Sequence, residues 1–278
     1  MIECVSFSST NPWTHSLILW SVHGNEVCWS IAIDRVVSKL KDWIIQLNSG
    51  QITFLPRANR RAYDNWTREV KYNLNRVFGS REALSEEHRV AKLIESYIDQ
   101  ASFVLDLHSI HEGDRAFVFQ ESPIEIAKSF IAWLPVPHVL LDWEKLYGET
   151  ADMDTIAYAT SRWIPWVTVE CGNHTDPNSI KVAEESIDYA LGFFWHVTDT
   201  RKDSVVKTKS IVRAKEIVYR PERARFCKNW KNFDPIQQWE LIWTSSQWKH
   251  IAPYDGVIII PKPIGDAWDE WYYLGIIK

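Results

Sequence analysis

The chain has 278 residues, of which 46% are hydrophobic and 24% charged, the composition of a soluble globular protein long enough for a main domain and a smaller appendage. A formal charge of -5 excludes the basic surface on which nucleic acid or anionic lipid docks, so neither is an expected partner. Four scattered cysteines (Cys4, Cys28, Cys171, Cys227) without a Cys-x-x-Cys pair, a start (MIECVSFSST) lacking the basic and apolar runs of a secretory signal, and no apolar run of bilayer length predict a cytoplasmic protein.

Ser16 to His23 (SLILWSVH) reads as a buried strand, Gly24-Asn25 as the turn that ends it, and Cys28 to about Trp43 as a helix with apolar residues at helical spacing. Gln51 to Leu55 is a second strand closed by Pro56, and Ala58 to Gly79, rich in arginine, asparagine and tyrosine, is a functional loop. Ser85 to Gln100 opens with an N-cap candidate and acidic residues and is a helix; Ala101 to His108 (ASFVLDLH) is a buried strand. Further strands are expected at Ala116 to Gln120, His138 to Asp142 and Trp166 to Cys171, and helices at Ile124 to Trp133 and Ile180 to Trp195. The alternation predicts an α/β fold in which helices layer a sheet.

Past a charged stretch (RKDSVVKTK) the pattern changes to short β-like pieces, Ile211 to Tyr219, Trp239 to Trp243, Gly256 to Ile260 and Trp271 to Ile277. They place a boundary near Arg201, with a catalytic domain over 1–200 and a small β domain over 201–278. No repeat recurs at a fixed period. The sixteen tryptophans are read as core and surface packing rather than as stacking platforms.

Chemistry concentrates at strand ends, where α/β sheets place their sites. His23 and Glu26, three residues apart across a turn, can direct an imidazole and a carboxylate at one ion, and His108 at the end of another strand adds a third donor. Asp106 shares the face of His108 by the two-residue period of a strand and can orient it from behind. Two histidines and a glutamate leave one coordination position open, the pattern of a catalytic zinc, whose bound water has a pKa lowered to roughly 7. Glu170, in Val169-Glu170-Cys171-Gly172 at a third strand end, is the carboxylate for proton transfer. In the arginine-rich loop, Arg68 and the pair Asn75-Arg76 offer bidentate donors for a substrate carboxylate or an oxyanion.

The ordered set HGNE, R-x4-NLNR-x-F, DLH and VECG resembles the succinylglutamate desuccinylase and aspartoacylase family of zinc carboxypeptidase-like enzymes, across the motif-bearing parts of roughly the first 200 residues. The resemblance implies a mixed sheet layered by helices and a small C-terminal β domain covering the active site, for which YRPERARF and PYDGVIIIPKP are the matching segments. It implies one Zn2+ held by His23, Glu26 and His108, with Glu170 as general base and then acid and Arg68 polarising the scissile carbonyl. Asn75 and Arg76 would bind the substrate's α-carboxylate. Tyr158 and Arg162, in YATSR, match a segment that holds an acidic side chain. The chain departs from the family in having Asn73 where an aspartate is common, and Trp268 lies where a pocket tyrosine is sought.

The expected function is zinc-dependent hydrolysis of the amide bond of a small N-acyl amino acid, releasing a carboxylic acid and a free amino acid. A zinc carboxypeptidase acting on short peptides and a metal-retaining binding module without turnover are the alternatives. The identity of the acyl group and of the amino acid, and assembly into a homo-oligomer, stay open.

Overall fold

Runs that are apolar on both faces of a strand need helices on both sides, and the first two-thirds of the chain supplies both kinds of segment in alternation. The computed structural model describes residues 2–11, 13–26, 30–82, 84–148, 153–198 and 208–278. Its first part contains strands β1 (Val5–Ser8), β2 (His15–Leu19), β3 (Gln51–Leu55), β4 (Phe103–Ile110), β5 (Phe117–Phe119), β6 (His138–Leu141) and β7 (Trp166–Asn173). The helices are α1 (Ser30–Lys41), α2 (Arg60–Asp64), α3 (Glu86–Ile98), α4 (Glu125–Trp133), α5 (Thr155–Ser161) and α6 (Pro177–Phe193). The later part is β throughout: β8 (Ser210–Tyr219), β9 (Arg225–Phe226), β10 (Pro235–Ile236), β11 (Leu241–Thr244), β12 (Lys249–Ile251), β13 (Gly256–Ile259) and β14 (Glu270–Ile277).

Eleven strands form one mixed sheet in the order β1-β3-β2-β4-β7-β5-β6-β8-β14-β13-β10, and β12-β11-β9 form a small second sheet. β3, β2, β4 and β7 run parallel, which brings the ends of β2, β4 and β7 to the same edge. β4 is buried along its whole length. Its residues alternate between layers: Phe103, Leu105 and Leu107 pack with Ile33 of α1, Phe130 of α4 and Ile187 of α6, while Val104 and Ile110 pack with Ile94 and Ile98 of α3. Asp106 and His108 belong to this second set by register. β8 pairs in parallel with β6, so the later strands continue the same sheet, and they carry a core of their own around Trp230, Ile242, Trp271 and Tyr272. The boundary expected near Arg201 falls within 199–207, outside the described residues. Among the described residues no helix is long and apolar enough to cross a membrane.

Several segments differ from the reading of the sequence. β2 stops at Leu19, because Ser21 turns to φ 51° and the backbone N–H groups of Ala58 and Asn59 bond to the carbonyls of Trp20 and Ser21 instead of continuing a ladder. α2 and α5 interrupt segments without apolar periodicity; each is one or two turns long, capped by Asn59 and Asp154, whose side chains accept from Ala62 N and Ala157 N. Residues 28 and 29 of the helix expected from Cys28 lie outside the described residues.

Two groups of tryptophans stand apart. Trp166, Trp230 and Trp271 are buried. Trp43, Trp66, Trp163, Trp195, Trp239 and Trp268 are 69–77% exposed with φ between 56° and 73°, in the left-handed region. Four of these stand two residues past the ends of α1, α2, α5 and α6, where the next N–H bonds back five residues (Ile44 to Lys39, Thr67 to Ala62, Ile164 to Ala159, His196 to Leu191). That pattern is the Schellman helix end, which ordinarily uses glycine because a Cβ in this conformation costs roughly 1–2 kcal/mol. Trp195→Gly should therefore raise the stability by about 1 kcal/mol, while Trp195→Ala, which keeps the Cβ, should not. Chemical denaturation of the two variants beside the parent measures this; an equal gain from alanine would remove the explanation.

Candidate metal centre and its pocket

The turn after β2 exists because a helix crowds it. A Cβ at Gly24 would overlap the backbone of Ala62 and Tyr63 in α2, and Gly24 N donates to Arg68 O at 3.1 Å. Only glycine lets the two segments approach this closely. The turn presents His23 and Glu26 toward His108 at the end of β4, and all three are buried. His23 Nδ1 lies 2.8 Å from Glu26 Oε1 and His108 Nδ1 lies 3.3 Å from Glu26 Oε2. One ligand atom from each falls within 4.8 Å of the others, the one such group among the described residues.

Both histidines present Nδ1 to the cluster and anchor Nε2 behind it. His23 Nε2 meets Asn73 Oδ1 at 3.1 Å, and His108 Nε2 meets Asp106 Oδ1 at 3.1 Å. Thr155 Oγ1 donates to Asp106 Oδ2 at 2.5 Å, and Ser109 N donates to Glu26 Oε2 at 3.3 Å. Such outer contacts fix ring orientation and tautomer in metal sites. Burial, with Arg68 nearby, lowers the pKa of His23 to about 4, so its ring is neutral and free to donate a lone pair. Burial alone would depress His108, but Asp106 and Glu26 raise it well above its ordinary value. Burial would likewise raise Glu26, yet His108 and His23 hold it well below the usual carboxylate range. Two nitrogens and a carboxylate drawn together around a buried negative charge fit a divalent cation.

Glu170 stands on β7 opposite His108 in the β4–β7 register. Its Oε2 is buried without a hydrogen-bond partner, and burial, opposed by His108 and reinforced by Glu26, pushes its pKa up to about 8. A cavity of about 130 Å³ adjoins the cluster, and His23, Glu26, His108, Asp106, Glu170, Arg68, Asn75 and Arg76, all singled out in the sequence, lie in its wall. Arg68 reaches in from the mouth, with Nη1 4.0 Å from Glu26 Oε1. Asn75 Oδ1 accepts from Thr155 N at 3.0 Å, which leaves its amide NH2 to offer a ligand. Arg76 donates to Asn75 O at 2.7 Å and sits 5.9 Å over the Tyr147 ring.

Tyr158 and Arg162 are not brought to this cavity. Tyr158 OH donates to Asp99 Oδ1 at 3.2 Å and Arg162 Nε donates to the same oxygen at 2.8 Å, just past the end of α3. α5 begins at the cavity with Thr155 and Ile156 and turns its later side chains toward Asp99, so neither residue is placed to hold an acidic side chain. Asn73 replaces an aspartate with a neutral acceptor that receives both His23 Nε2 and Asn75 N. The reading of the sequence missed Tyr147, Glu270, Lys262 and Tyr273 in the wall, where Tyr273 OH donates to Glu270 Oε2 at 2.6 Å and meets Tyr147 OH at 2.7 Å. Tyr273 thus supplies the C-terminal hydroxyl sought near Trp268, which is itself exposed in a turn. No local motif marks these four; their side chains meet only once β14 joins the sheet.

The succinylglutamate desuccinylase/aspartoacylase catalytic domain matches residues 14–192. No curated protein sequence matches the chain significantly. Among solved structures, the product-bound ectoine utilization protein EutE from Ruegeria pomeroyi is similar with a TM-score of 0.81 at 14% identity, over 99% of this chain and 89% of that one. A succinylglutamate desuccinylase/aspartoacylase from Rhodobacter sphaeroides gives 0.80 at 15% identity over 100% and 88%. An aspartoacylase family protein from Mesorhizobium loti gives 0.73 at 20% identity over 99% and 88%. At these identities the likeness shows the fold.

The contact between Asn73 and His23 yields a measurable consequence. Asn73→Leu removes the acceptor behind His23 and should weaken divalent-ion affinity by roughly 10–100-fold, while Asn73→Asp should retain or strengthen it. Competition against a chromogenic chelator measures both, and unchanged affinity in Asn73→Leu would show that the contact does not orient the ring.

Proposed function

The chain belongs to the succinylglutamate desuccinylase/aspartoacylase family, and we propose that it is a zinc-dependent deacylase that hydrolyses the amide bond of a small N-acyl amino acid. The observation that carries the reading is the convergence of His23, Glu26 and His108 beside a buried, unpaired carboxylate oxygen of Glu170. Zinc held by His23, Glu26 and His108 would supply Lewis acidity toward the scissile carbonyl and lower the pKa of water at the site.

The remaining steps belong to the chain's own side chains. Glu170 takes a proton from the attacking water and passes it to the departing nitrogen, a role its raised pKa suits because the carboxyl must both accept and release a proton near neutrality. Arg68, beside Glu26 at the mouth, stabilises the negative charge that develops on the carbonyl oxygen. Asn75 and Arg76 bind the α-carboxylate, with the guanidinium steadied by the Asn75 carbonyl and the Tyr147 ring. Asp106 holds His108 in orientation and is held in turn by Thr155.

Ile260, Lys262, Glu270 and Tyr273 close one side of the cavity, which supports a covering role for the C-terminal part. Cys4 and Cys227 are free thiols, as a reducing cytoplasm would leave them.

Glu170→Gln tests the assignment, since it keeps the shape and removes the proton acceptor. Its zinc content should match that of the parent while kcat on N-acyl amino acids falls by roughly 10²–10⁴-fold. Full turnover in a variant with normal zinc content would remove Glu170 from the reaction. A zinc-loaded parent that hydrolyses none of N-acetylaspartate, N-succinylglutamate and neutral N-acyl amino acids would remove the deacylase reading.

A further inference from the structure

The cavity holds a second polar cluster that the proposed reaction leaves unused. Past β4 and β7 the chain makes two short loops tied to each other, with His174 N donating to Ile110 O at 3.0 Å and Asn173 Nδ2 donating to His111 O. They carry His111, exposed at the mouth, and His174, set deeper, with ring centroids 4.4 Å apart and planes at 78°. His174 Nδ1 pairs with Ser109 Oγ at 2.5 Å, whereas its Nε2 is buried without a partner. A buried polar atom left unpaired costs stability unless something that enters the site completes it. Burial lowers His174 to about 4 and, with Arg68, lowers His111, so both rings are neutral and each offers one donor and one acceptor.

Charged neighbours locate this cluster relative to the substrate. Those of both histidines include Arg68 and Glu26, whereas those of Tyr147 are Glu270 and Arg76. With the α-carboxylate at Asn75 and Arg76, the imidazoles face the other end of the molecule. Resting on the deacylase reading, we propose that His111 and His174 form a subsite for the acyl half. It selects a chain whose far end carries a hydrogen-bonding oxygen over a plain alkyl chain.

Calorimetric titration of the zinc-loaded protein with free succinate and with butyrate, acids of equal chain length, tests the subsite without turnover. Succinate should bind at least about tenfold more tightly, and His174→Leu should bring the two within about twofold with zinc content retained. His174→Gln, which keeps an N–H donor, should recover part of the difference. Equal affinities in the parent, or a ratio that His174→Leu does not move, would overturn the subsite. Hydrolysis of the N-succinyl and N-butyryl forms of one amino acid is read separately: failure of both sinks the deacylase reading, while the binding ratio still decides on the subsite.

An independent observation carries a second inference. Of the eleven non-glycine residues with positive φ among the described residues, six are tryptophan. Besides the four Schellman ends, Trp239 and Trp268 occupy the third position of turns closed by Glu240 N to Gln237 O and Asp269 N to Asp266 O, a position that demands positive φ. The six residues are 69–77% exposed, so burial offsets little of the strain, and six such positions together rival the whole stability of a domain, about 5–15 kcal/mol. The chain has only ten glycines in 278 residues, about half the usual share of roughly 7%. One codon, UGA, is read as tryptophan in some genetic codes and as glycine in others. We infer that residues 43, 66, 163, 195, 239 and 268 are glycine in the protein as its own cell makes it, encoded by UGA.

The gene and the native protein test this together. UGA should stand at the six exposed positions and UGG at the buried Trp166, Trp230 and Trp271, and peptide mass spectrometry of protein from the native cell should find glycine at the six. UGG at the six positions, or tryptophan in those native peptides, would overturn it.

Discussion

Glu26 is a carboxylate with 2% exposure whose charged contacts are two imidazoles and, more distantly, the guanidinium of Arg68. A charge in such surroundings has to be matched, and the arrangement of the fold follows from matching it. His108 reaches Glu26 because β4 runs parallel to β2 and ends at the same edge of the sheet. His23 reaches it because Gly24 lets α2 close on the turn. Each imidazole then needs support on its far nitrogen, and Asn73 and Asp106 supply it from segments that would otherwise have no reason to meet there. Asn73 also caps the short turn that carries Asn75 and Arg76, so one side chain links the His-Glu-His cluster to the pair proposed to bind the carboxylate.

The parts of the site that the sequence made legible are those set by local pattern. His23, Glu26, Asp106, His108 and Glu170 all stand at or near ends of apolar runs, and strand periodicity correctly placed Asp106 and His108 on one face. Parallel strands with buried faces give strong runs, which is why β3, β4, β6 and β7 were recognisable. What stayed hidden depends on tertiary contact. α5 is seven residues long, too short to show a period, and its direction decides that Thr155 enters the cavity while Tyr158 and Arg162 turn to Asp99. A short motif match places residues in sequence; it does not say which way a two-turn helix points. Tyr147 and Tyr273 lie 126 residues apart and meet only because β14 pairs with β8 and β8 with β6.

Tryptophan composition was legible as an oddity and misleading as to cause. Aromatic residues ordinarily report burial, and Trp166, Trp230 and Trp271 do so. Six of the exposed ones, those with positive φ, report backbone instead. At each of these points local preference and global fold disagree, the kind of conflict that natural sequences avoid and that functional strain confines to active sites. Trp43, Trp163, Trp195, Trp239 and Trp268 are absent from the wall of the catalytic cavity, so the conflict there has no catalytic use. Helix ends and turns that demand glycine by geometry are better evidence of the residue that belongs there than the letter standing in the sequence.

The cavity itself has two walls of different origin. Arg68, Asn75 and Arg76 come from the segment after β3, and Tyr147, Glu270 and Tyr273 back them with hydroxyl and carboxylate contacts. Ser109, His111 and His174 come from the loops after β4 and β7, which continue directly from His108 and Glu170. The proposed subsite for the acyl half is therefore a covalent neighbour of His108 and Glu170, whereas the residues proposed for the carboxylate arrive from distant segments. Because Ser109 N bonds to Glu26 and Asn73 accepts from His23 Nε2, a change in either wall would be felt at the His-Glu-His cluster. Asn73 thus ties the segment of Asn75 and Arg76 to the His-Glu-His cluster, whereas Tyr158 and Arg162, bonded to Asp99, stand apart from both.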